Sequence, residues 1–270
     1  MSATLTYVGG PTALIDVAGV RLLTDPTFDP AGTRYPAAAY TLHKTSDPAV
    51  RGADIGRVDA VLLSHDHHAD NLDIAGRALL GRTPVVLTTV AGAARLGGNA
   101  RGFAPGDVTS VAAPDGRRVR ITATPARHGP DGGDRGPVIG FLLEPDDEPA
   151  AGAIYVSGDT VWYDGVAAVA RENRVALALL FLGAAHVAAA GPSHLTFTAA
   201  EAVSAARAFG DATIVPLHYE GWAHFAQSRR DVDAAFVRAG LAHRLAWLPP
   251  GAPRAFDLSP RHATADAGMA

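Results

Sequence analysis

Apolar positions along the chain follow two different periods. Near the N-terminus they alternate with polar positions, which predicts strands at Leu5–Val8, Ala13–Val17 and Arg21–Thr24. Farther along, short apolar runs alternate with segments of helical spacing. This order predicts an α/β fold in which strands and helices pack in layers around one core.

The same pattern predicts the remaining elements. Further strands are expected at Val61–Ser64, Val85–Thr88, Val119–Thr124, Val138–Glu144, Ile154–Ser157, Ala176–Leu182, Thr213–Leu217 and Arg244–Leu248. Helices are expected at Leu72–Leu80, 90–96, 163–171, Thr198–Phe209 and Arg230–Ala239. Residues 26–55 show no clear period, which predicts a long surface excursion. Since no linker divides the chain, we expect one domain over residues 1–258 and a flexible tail over 259–270.

Composition narrows the classes of function. Net charge is -4 and no basic stripe is present, which argues against a nucleic-acid partner. Cysteine is absent, so any metal site must use histidine and carboxylate ligands. The N-terminus does not resemble a signal peptide, and no apolar run reaches membrane-spanning length. We therefore expect a cytoplasmic protein without a stable membrane anchor; its oligomeric state stays open.

Metal-binding side chains crowd the segment that follows the apolar run Val61–Leu63. Three histidines and two aspartates stand within six positions: His65, Asp66, His67, His68 and Asp70. In an extended stretch, His65 and His67 would place their rings on the same side. This density favours a metal site over ordinary surface roles. The alternative for Asp70 is an N-cap on the next helix, a role that Asn71 fits equally well.

Three more predicted strands end at residues that can bind a metal. His128 follows Val119–Thr124, Asp159 follows Ile154–Ser157, and His218 follows Thr213–Leu217. In open α/β architectures, sites form beyond the carboxyl ends of strands. These residues are therefore predicted to meet the histidine cluster in one metal site.

These motifs resemble those of the metallo-β-lactamase superfamily over nearly the whole chain. The resemblance rests on Thr6–Gly10, Leu22–Pro26, Ser157–Thr160, His194 ahead of Thr198–Val203, and the pair His218-Tyr219. It is strongest to the branch of L-ascorbate-6-phosphate lactonase and the N-acylphosphatidylethanolamine-hydrolysing phospholipase D. The resemblance implies a four-layer αββα sandwich with its metal site at strand ends. It also implies a hydrolase with one or two divalent ions, zinc favoured and manganese or iron as alternatives.

The histidine motif departs from the family pattern His-x-His-x-Asp-His. With one inserted residue, Asp70 takes the aspartate position and Asn71 that of the second-site histidine. Without an insertion, Ala69 and Asp70 take those positions. Either alignment removes an imidazole from the second site. His68 could substitute, although its side chain is expected to point away from His67.

The resemblance implies a role for each candidate residue. His65, His67 and His128 would hold the first ion, Asp159 would bridge, and Asp70 with His218 would complete the second site. Metal-bound hydroxide would attack an ester, lactone, amide or phosphodiester, with Asp70 orienting it and His194 assisting the leaving group. Asp25 would support a ligating histidine. The remaining second-shell or substrate-lining candidates are His68, Asn71, Glu220, Trp222 and His224, with loop Gly129–Gly136 as a candidate lid.

Two other functions stay open beside a hydrolase of small molecules. The first is a non-haem iron dioxygenase of the same fold, because a site of two histidines and one carboxylate supports oxygen chemistry. The second is a catalytically silent metal-binding protein, which the altered second-site motif would fit.

Overall fold

Two β-sheets packed face to face form the centre of the protein, of which a computed structural model describes residues 1–259. In chain order the strands are β1 (Ser2–Gly9), β2 (Thr12–Val17), β3 (Val20–Thr24), β4 (Arg34–Pro36), β5 (Thr41–His43), β6 (Ala60–Leu62), β7 (Val86–Thr89), β8 (Ala100–Phe103), β9 (Val108–Ala112), β10 (Arg118–Pro125), β11 (Ile139–Pro145), β12 (Ala153–Val156), β13 (Val175–Phe181), β14 (Thr213–Leu217) and β15 (Pro253–Asp257). The α-helices are α1 (Ile74–Leu80), α2 (Val90–Leu96), α3 (Asp164–Glu172), α4 (Ala199–Ala208) and α5 (Arg229–Arg238). The predicted tail lies outside the described residues except for Ser259.

The two sheets differ in how their strands are ordered. The first has the order β15-β1-β2-β3-β6-β7-β8, and the second has the order β14-β13-β12-β11-β10-β9. Helices α1 and α2 pack on the outer face of the first sheet, whereas α3, α4 and α5 cover the second. The resulting αββα layers confirm the predicted fold class.

Strand β6 shows why its sequence is apolar at every position. Ala60 and Leu62 face the second sheet, while Val61 and the adjoining Leu63 face α1 on the other side. All four are fully buried. Since alternate side chains point to opposite faces, a strand covered on both faces must be continuously apolar. The polar residues that follow therefore mark the point at which the chain leaves the core.

The predicted strand Arg244–Leu248 is wrong. A 3-10 turn occupies Ala242–Arg244, and Leu245 makes only an isolated bridge to Ile214. Pairing stops there because the Arg244 side chain turns back to the carbonyl of Ala212, and Pro249 and Pro250 offer no backbone donors. The sequence reading also missed β8, β9 and β15, which are edge or near-edge strands with polar positions.

Helix α1 begins two residues later than predicted, and this frees Asp70 from a capping role. Asp73 is the N-cap, and its Oδ1 accepts a hydrogen bond from Gly76 N at 2.7 Å. Neither Asp70 nor Asn71 caps the helix. The capping alternative for Asp70 is therefore ruled out, and its buried carboxylate is available for another purpose.

The excursion over residues 26–55 is tied down at the start of α1. It contains the β4–β5 hairpin, and Lys44 Nζ lies 3.1 Å from Asp73 Oδ2 in a buried ion pair. The same ammonium lies 5.1 Å from the ring centroid of Trp222. Asp29 also contacts this end of the helix, accepting hydrogen bonds from Ile74 N and Ala75 N. These contacts hold the excursion in place beside the histidine segment.

None of the helices within residues 1–259 is long and apolar enough to cross a membrane.

Replacing Asp73 with Ala should lower the free energy of unfolding by about 3–5 kcal/mol, because Lys44 would be left buried without its ion-pair partner and α1 would lose its N-cap. The matched control is Asp54→Ala, which removes a carboxylate from an exposed pair with Arg51. It should cost less than about 1 kcal/mol. Urea unfolding of both variants measures the difference, and equal losses would contradict a dominant role for the buried pair.

Candidate metal centre

The chain delivers polar side chains to one place from the ends of four strands. His65 follows β6, His128 follows β10, Asp159 follows β12, and His218 follows β14. All four residues are buried. Backbone contacts join these ends directly, since Val161 N donates to the carbonyl of Arg127 at 2.9 Å. The predicted convergence of strand ends is what the structure shows.

Three imidazoles face one another in a first group. His65 Nε2 lies 3.0 Å from His68 Nδ1, and His128 Nε2 lies 3.2 Å from that same atom. Asp159 Oδ2 lies 3.6 Å from His128 Nε2. Ligands that bind one zinc ion at about 2.1 Å in a tetrahedron are separated by about 3.4 Å. The spacing of this group therefore fits a shared cation.

His65 and His128 each form a hydrogen bond within the protein through Nδ1, the ring nitrogen that faces away from the group. His65 Nδ1 lies 2.9 Å from Ser64 Oγ, which donates to Asp25 Oδ1 at 2.7 Å. His128 Nδ1 lies 2.8 Å from the carbonyl oxygen of Leu195 and donates to it. A proton fixed on Nδ1 leaves Nε2 as a lone-pair donor toward the centre. Asp25 thus supports His65 through Ser64, a step that the sequence reading did not identify.

His67 is held on the rim of this group. Its Nε2 donates to the carbonyl oxygen of Arg135 at 2.7 Å. The expectation that His68 points away from His67 is wrong, because their ring centroids are 4.3 Å apart. Strand β6 ends at Leu62, so the segment that follows turns and the alternation of an extended strand does not apply.

The position of His68 indicates where the extra residue lies relative to the family motif. Counted back from Asp70, the run His68-Ala69-Asp70 has the His-x-Asp spacing of the family pattern. The extra residue therefore falls between His65 and His68. In this alignment His68, and not His67, takes the place of the second histidine of the motif.

A second group lies on the other side of Asp159. His224 Nε2 is 3.0 Å and His218 Nε2 is 3.6 Å from Asp70 Oδ2. His218 Nδ1 donates to Asp159 Oδ1 at 2.9 Å. Asp159 therefore directs Oδ2 toward the first group, while its Oδ1 accepts from the outer ring nitrogen of His218 and so links the two groups.

Asn71 occupies the motif position at which the family has an imidazole. Its Nδ2 donates to Asp159 Oδ1 at 3.3 Å, so it orients that carboxylate. His224 enters the second group from the loop after β14, and its Nε2 lies beside Asp70 Oδ2. The sequence predicts only a second-shell or substrate-lining role for His224. Its spacing from His218 does not show that the loop brings the imidazole back to Asp70.

Two residues of the centre have strained backbones. His218 has φ +53° and Asp25 has φ +24°, within the region that favours glycine. Such conformations cost about 1–3 kcal/mol each and persist where the surroundings enforce them. His218 N donates to the carbonyl of Gly10 at 2.7 Å, and Asp25 N to that of Leu62 at 3.1 Å. Strain at this place is typical of residues held for function.

Burial and charge set the protonation of the centre. Burial lowers the pKa of His65 well below its ordinary value and that of His68 to about 4, so both rings are neutral at pH 7. Burial alone would raise the pKa of Asp159, but His218 and the other histidines hold it below its ordinary range. Neutral imidazole and ionised carboxylate are the forms that bind a divalent cation.

Several buried polar atoms of the centre have no hydrogen-bond partner within residues 1–259. They are Asp159 Oδ2, Asn71 Oδ1, His218 Nε2 and His224 Nδ1. Each such atom costs about 1–3 kcal/mol if nothing else satisfies it. Imidazoles and carboxylates without thiolate suit zinc, manganese or iron. The residues present therefore fit a divalent metal site.

A cavity of about 270 Å³ opens onto both groups. His68, Asp70, His128 and His224 form its floor. Its walls come from the excursion over residues 26–55, from the Gly129–Gly136 loop and from the segment over residues 185–195. The site is therefore accessible to a small molecule.

Three sequence-predicted residues lie elsewhere. His194 Nε2 is 2.9 Å from Glu201 Oε2, the carboxylate that caps the start of α4. Glu220 is exposed, and Trp222 packs against the β4–β5 hairpin. None of the three lines the cavity. Because the turn at His218 reverses the chain, the side chains after it leave the site until His224 returns to it. The expected pocket role of Glu220 and Trp222 is therefore corrected, and a catalytic role for His194 stays a prediction.

Comparison with known proteins agrees with this geometry. A family model described as a beta-lactamase superfamily domain matches residues 20–219. The chain belongs to the beta-lactamase superfamily. A curated superfamily relative from Pelotomaculum thermopropionicum, named a metal-dependent hydrolase, is 29% identical over 77% of this chain and 87% of its own length. The predicted enzyme class, a metal-dependent hydrolase, is thereby confirmed at this coarse level.

Solved structures show how widely this superfamily fold is shared. The isothiocyanate hydrolase from Delia radicum gut bacteria superposes with a TM-score of 0.80 at 22% identity, covering 94% of this chain and 99% of that one. The diiron β-hydroxylase CmlA from Streptomyces venezuelae gives a TM-score of 0.65 at 16% identity, covering 95% and 54%. At these identities the likeness shows the fold alone. The branch predicted from the sequence stays a prediction.

Replacing Gly158 with Ala should disrupt the centre, since an added Cβ would lie 2.7 Å from both Ile139 O and Ser64 Cβ. The matched control is Gly210→Ala, which has a similar positive φ and no atom within 4 Å. The control should lose about 1–2 kcal/mol of stability from backbone strain alone. We expect Gly158→Ala to lose clearly more in urea unfolding; equal losses would show that the space around Gly158 is not restricted.

Proposed function

We propose that this protein is a hydrolase that holds two divalent ions, zinc being favoured, and cleaves an ester, lactone, amide or phosphodiester bond in a small molecule. The observation that carries the proposal is the pair of donor groups on either side of Asp159, opening onto one cavity. Two ions held in neighbouring sites would act on the attacking and the leaving oxygen of one displacement.

The proposed ligands follow from the ring nitrogens that face inward. His65 Nε2, His68 Nδ1, His128 Nε2 and Asp159 Oδ2 would hold the first ion. Asp70, His218 and His224 would hold the second, with Asp159 Oδ1 fixing the outer nitrogen of His218. One ring nitrogen of His67 lies within 4.8 Å of ring nitrogens of His65 and His68, but His67 would serve mainly to fix the loop at Arg135. His68 and His224 together would restore the donors that the altered motif removes.

The residues of the cavity have distinct parts in the proposed reaction. Bound divalent ions would lower the pKa of a water molecule and polarise the substrate oxygen. Asp70 lines the cavity and is ionised, so its carboxylate is placed to orient that water and accept its proton. Ser64 and Asp25 would keep His65 in one tautomer.

Oxygen chemistry is the second candidate function, because the ligand set suits iron as well as zinc. Metal analysis of the purified protein by plasma mass spectrometry distinguishes the two. Zinc or manganese together with turnover of ester or phosphodiester substrates supports the hydrolase. Iron together with substrate-dependent oxygen uptake, and no hydrolysis, would contradict it.

His68→Ala should remove the ion of the first group, whereas His67→Ala should leave metal content nearly unchanged. The two variants are matched, since the same side chain is removed from adjacent positions. Plasma mass spectrometry after dialysis against buffer measures the ions retained per chain. The reverse pattern, with His67 essential and His68 dispensable, would contradict the inward role of His68.

His224→Ala should reduce the retained metal from two ions to one, because only Asp70 and His218 would remain to hold the second ion. His243→Ala provides the control, since His243 is exposed beyond the end of α5. It should retain both ions. Retention of two ions by His224→Ala would show that the second site does not need the imidazole.

A further inference from the structure

The cavity is apolar on its walls and carries a single side-chain cation among the residues that line it. Seven alanine, valine and leucine side chains form most of the wall: Ala39, Leu42, Ala185, Val187, Ala189, Ala190 and Leu195. The cation is the guanidinium of Arg135. An apolar wall with one charged group is typical of a site that orients a ligand by that group.

Arg135 is fixed at three points. Its backbone N donates to the carbonyl of His128 at 2.8 Å, and its own carbonyl accepts from His67 Nε2 at 2.7 Å. One guanidinium nitrogen, Nη2, donates to the carbonyl of Ala190 at 2.7 Å. The guanidinium is therefore held at a set distance from the proposed metal ligands and not merely attached to a mobile loop.

The guanidinium has no anionic partner in the part of the chain that is described. No carboxylate of residues 1–259 lies within 4.0 Å of it in an ion pair, and its Nε is buried without a hydrogen-bond partner. The Nε of neighbouring Arg127 also lacks a hydrogen-bond partner, but its guanidinium lies 3.8 Å from Asp131 and over the ring of Tyr163. A buried guanidinium donor without a partner is costly, and an oxyanion is the group that satisfies it best.

We propose that Arg135 binds an oxyanion group of the substrate, a carboxylate or a phosphate, while the bond to be cleaved lies over His68 and Asp70. This inference rests on the proposed hydrolase function and narrows its substrate class. The substrate would be a small molecule with a short apolar body between its anionic end and its labile bond. The cavity volume of about 270 Å³ suits a compound of that size.

Three small probes test the proposal: butyrate, succinate and 3-phosphonopropanoate. Succinate and 3-phosphonopropanoate add a second anionic group at the far end of a chain of similar length. Their dissociation constants are measured by calorimetry on the metal-loaded protein and on the chelated protein. The variants are Arg135→Gln, Arg135→Lys and the control Arg127→Gln, each checked for metal content and for its circular dichroism spectrum.

The wild type should bind at least one of the doubly anionic probes about 10–100-fold more tightly than butyrate, as expected for a charge-assisted pair. The better of the two identifies the oxyanion as carboxylate or phosphate. Arg135→Gln should abolish the preference while retaining its metal, Arg135→Lys should keep part of it, and Arg127→Gln should keep it fully.

Equal affinity of the wild type for all three probes, or a preference that survives in Arg135→Gln, would overturn the proposal. The latter result would leave Arg135 with the structural role of holding Ala190. Failure of the proposed function is seen separately as absence of metal in the wild type. In that case the chelated protein still reports whether Arg135 selects the anionic probes.

Discussion

The centre depends on one constraint: buried imidazoles and carboxylates must all be satisfied. The protein satisfies the outer ring nitrogens of three histidines itself, through Ser64 on His65, Leu195 on His128 and Asp159 on His218. The inner atoms are left facing one another at 3.0 to 3.6 Å, a spacing that a divalent cation would satisfy. The backbone of His218 is strained, and Lys44, Asp73 and Asp29 form a buried set of contacts at the start of α1. Both features indicate that these side chains are fixed before any ligand binds.

We propose that the altered histidine motif rearranges the metal-binding side chains and does not remove them. In this proposal His68 takes the part expected of His67, while His67 Nε2 is held by the Arg135 carbonyl. Asn71 takes the place of an imidazole, and His224 approaches Asp70 from the far end of the chain. The silent metal-binding alternative relied on an impoverished second site, and this arrangement of donors weighs against it.

Hydrophobic periodicity predicted the layered fold and the convergence of four strand ends, because both follow from local pattern and from the topology of parallel strands. It could not predict β15, whose pairing with β1 joins segments about 250 residues apart in the sequence. Nor could it predict the placement of His68 and His224, which depends on turns after β6 and β14. Likewise, the role of Arg135 appears only when three loops that are distant in sequence meet around the cavity. Residues on regular elements were predictable, whereas those on loops required the structure.

The central claim is that two groups of donors hold two ions on either side of Asp159. The most direct measurement is anomalous diffraction at the zinc edge from crystals of the zinc-loaded protein. We predict two anomalous-difference peaks. One should lie among His65 Nε2, His68 Nδ1 and His128 Nε2, and the other beside Asp70, His218 and His224. A single peak held by His67 in place of His68, or no peak in this cluster, would contradict it.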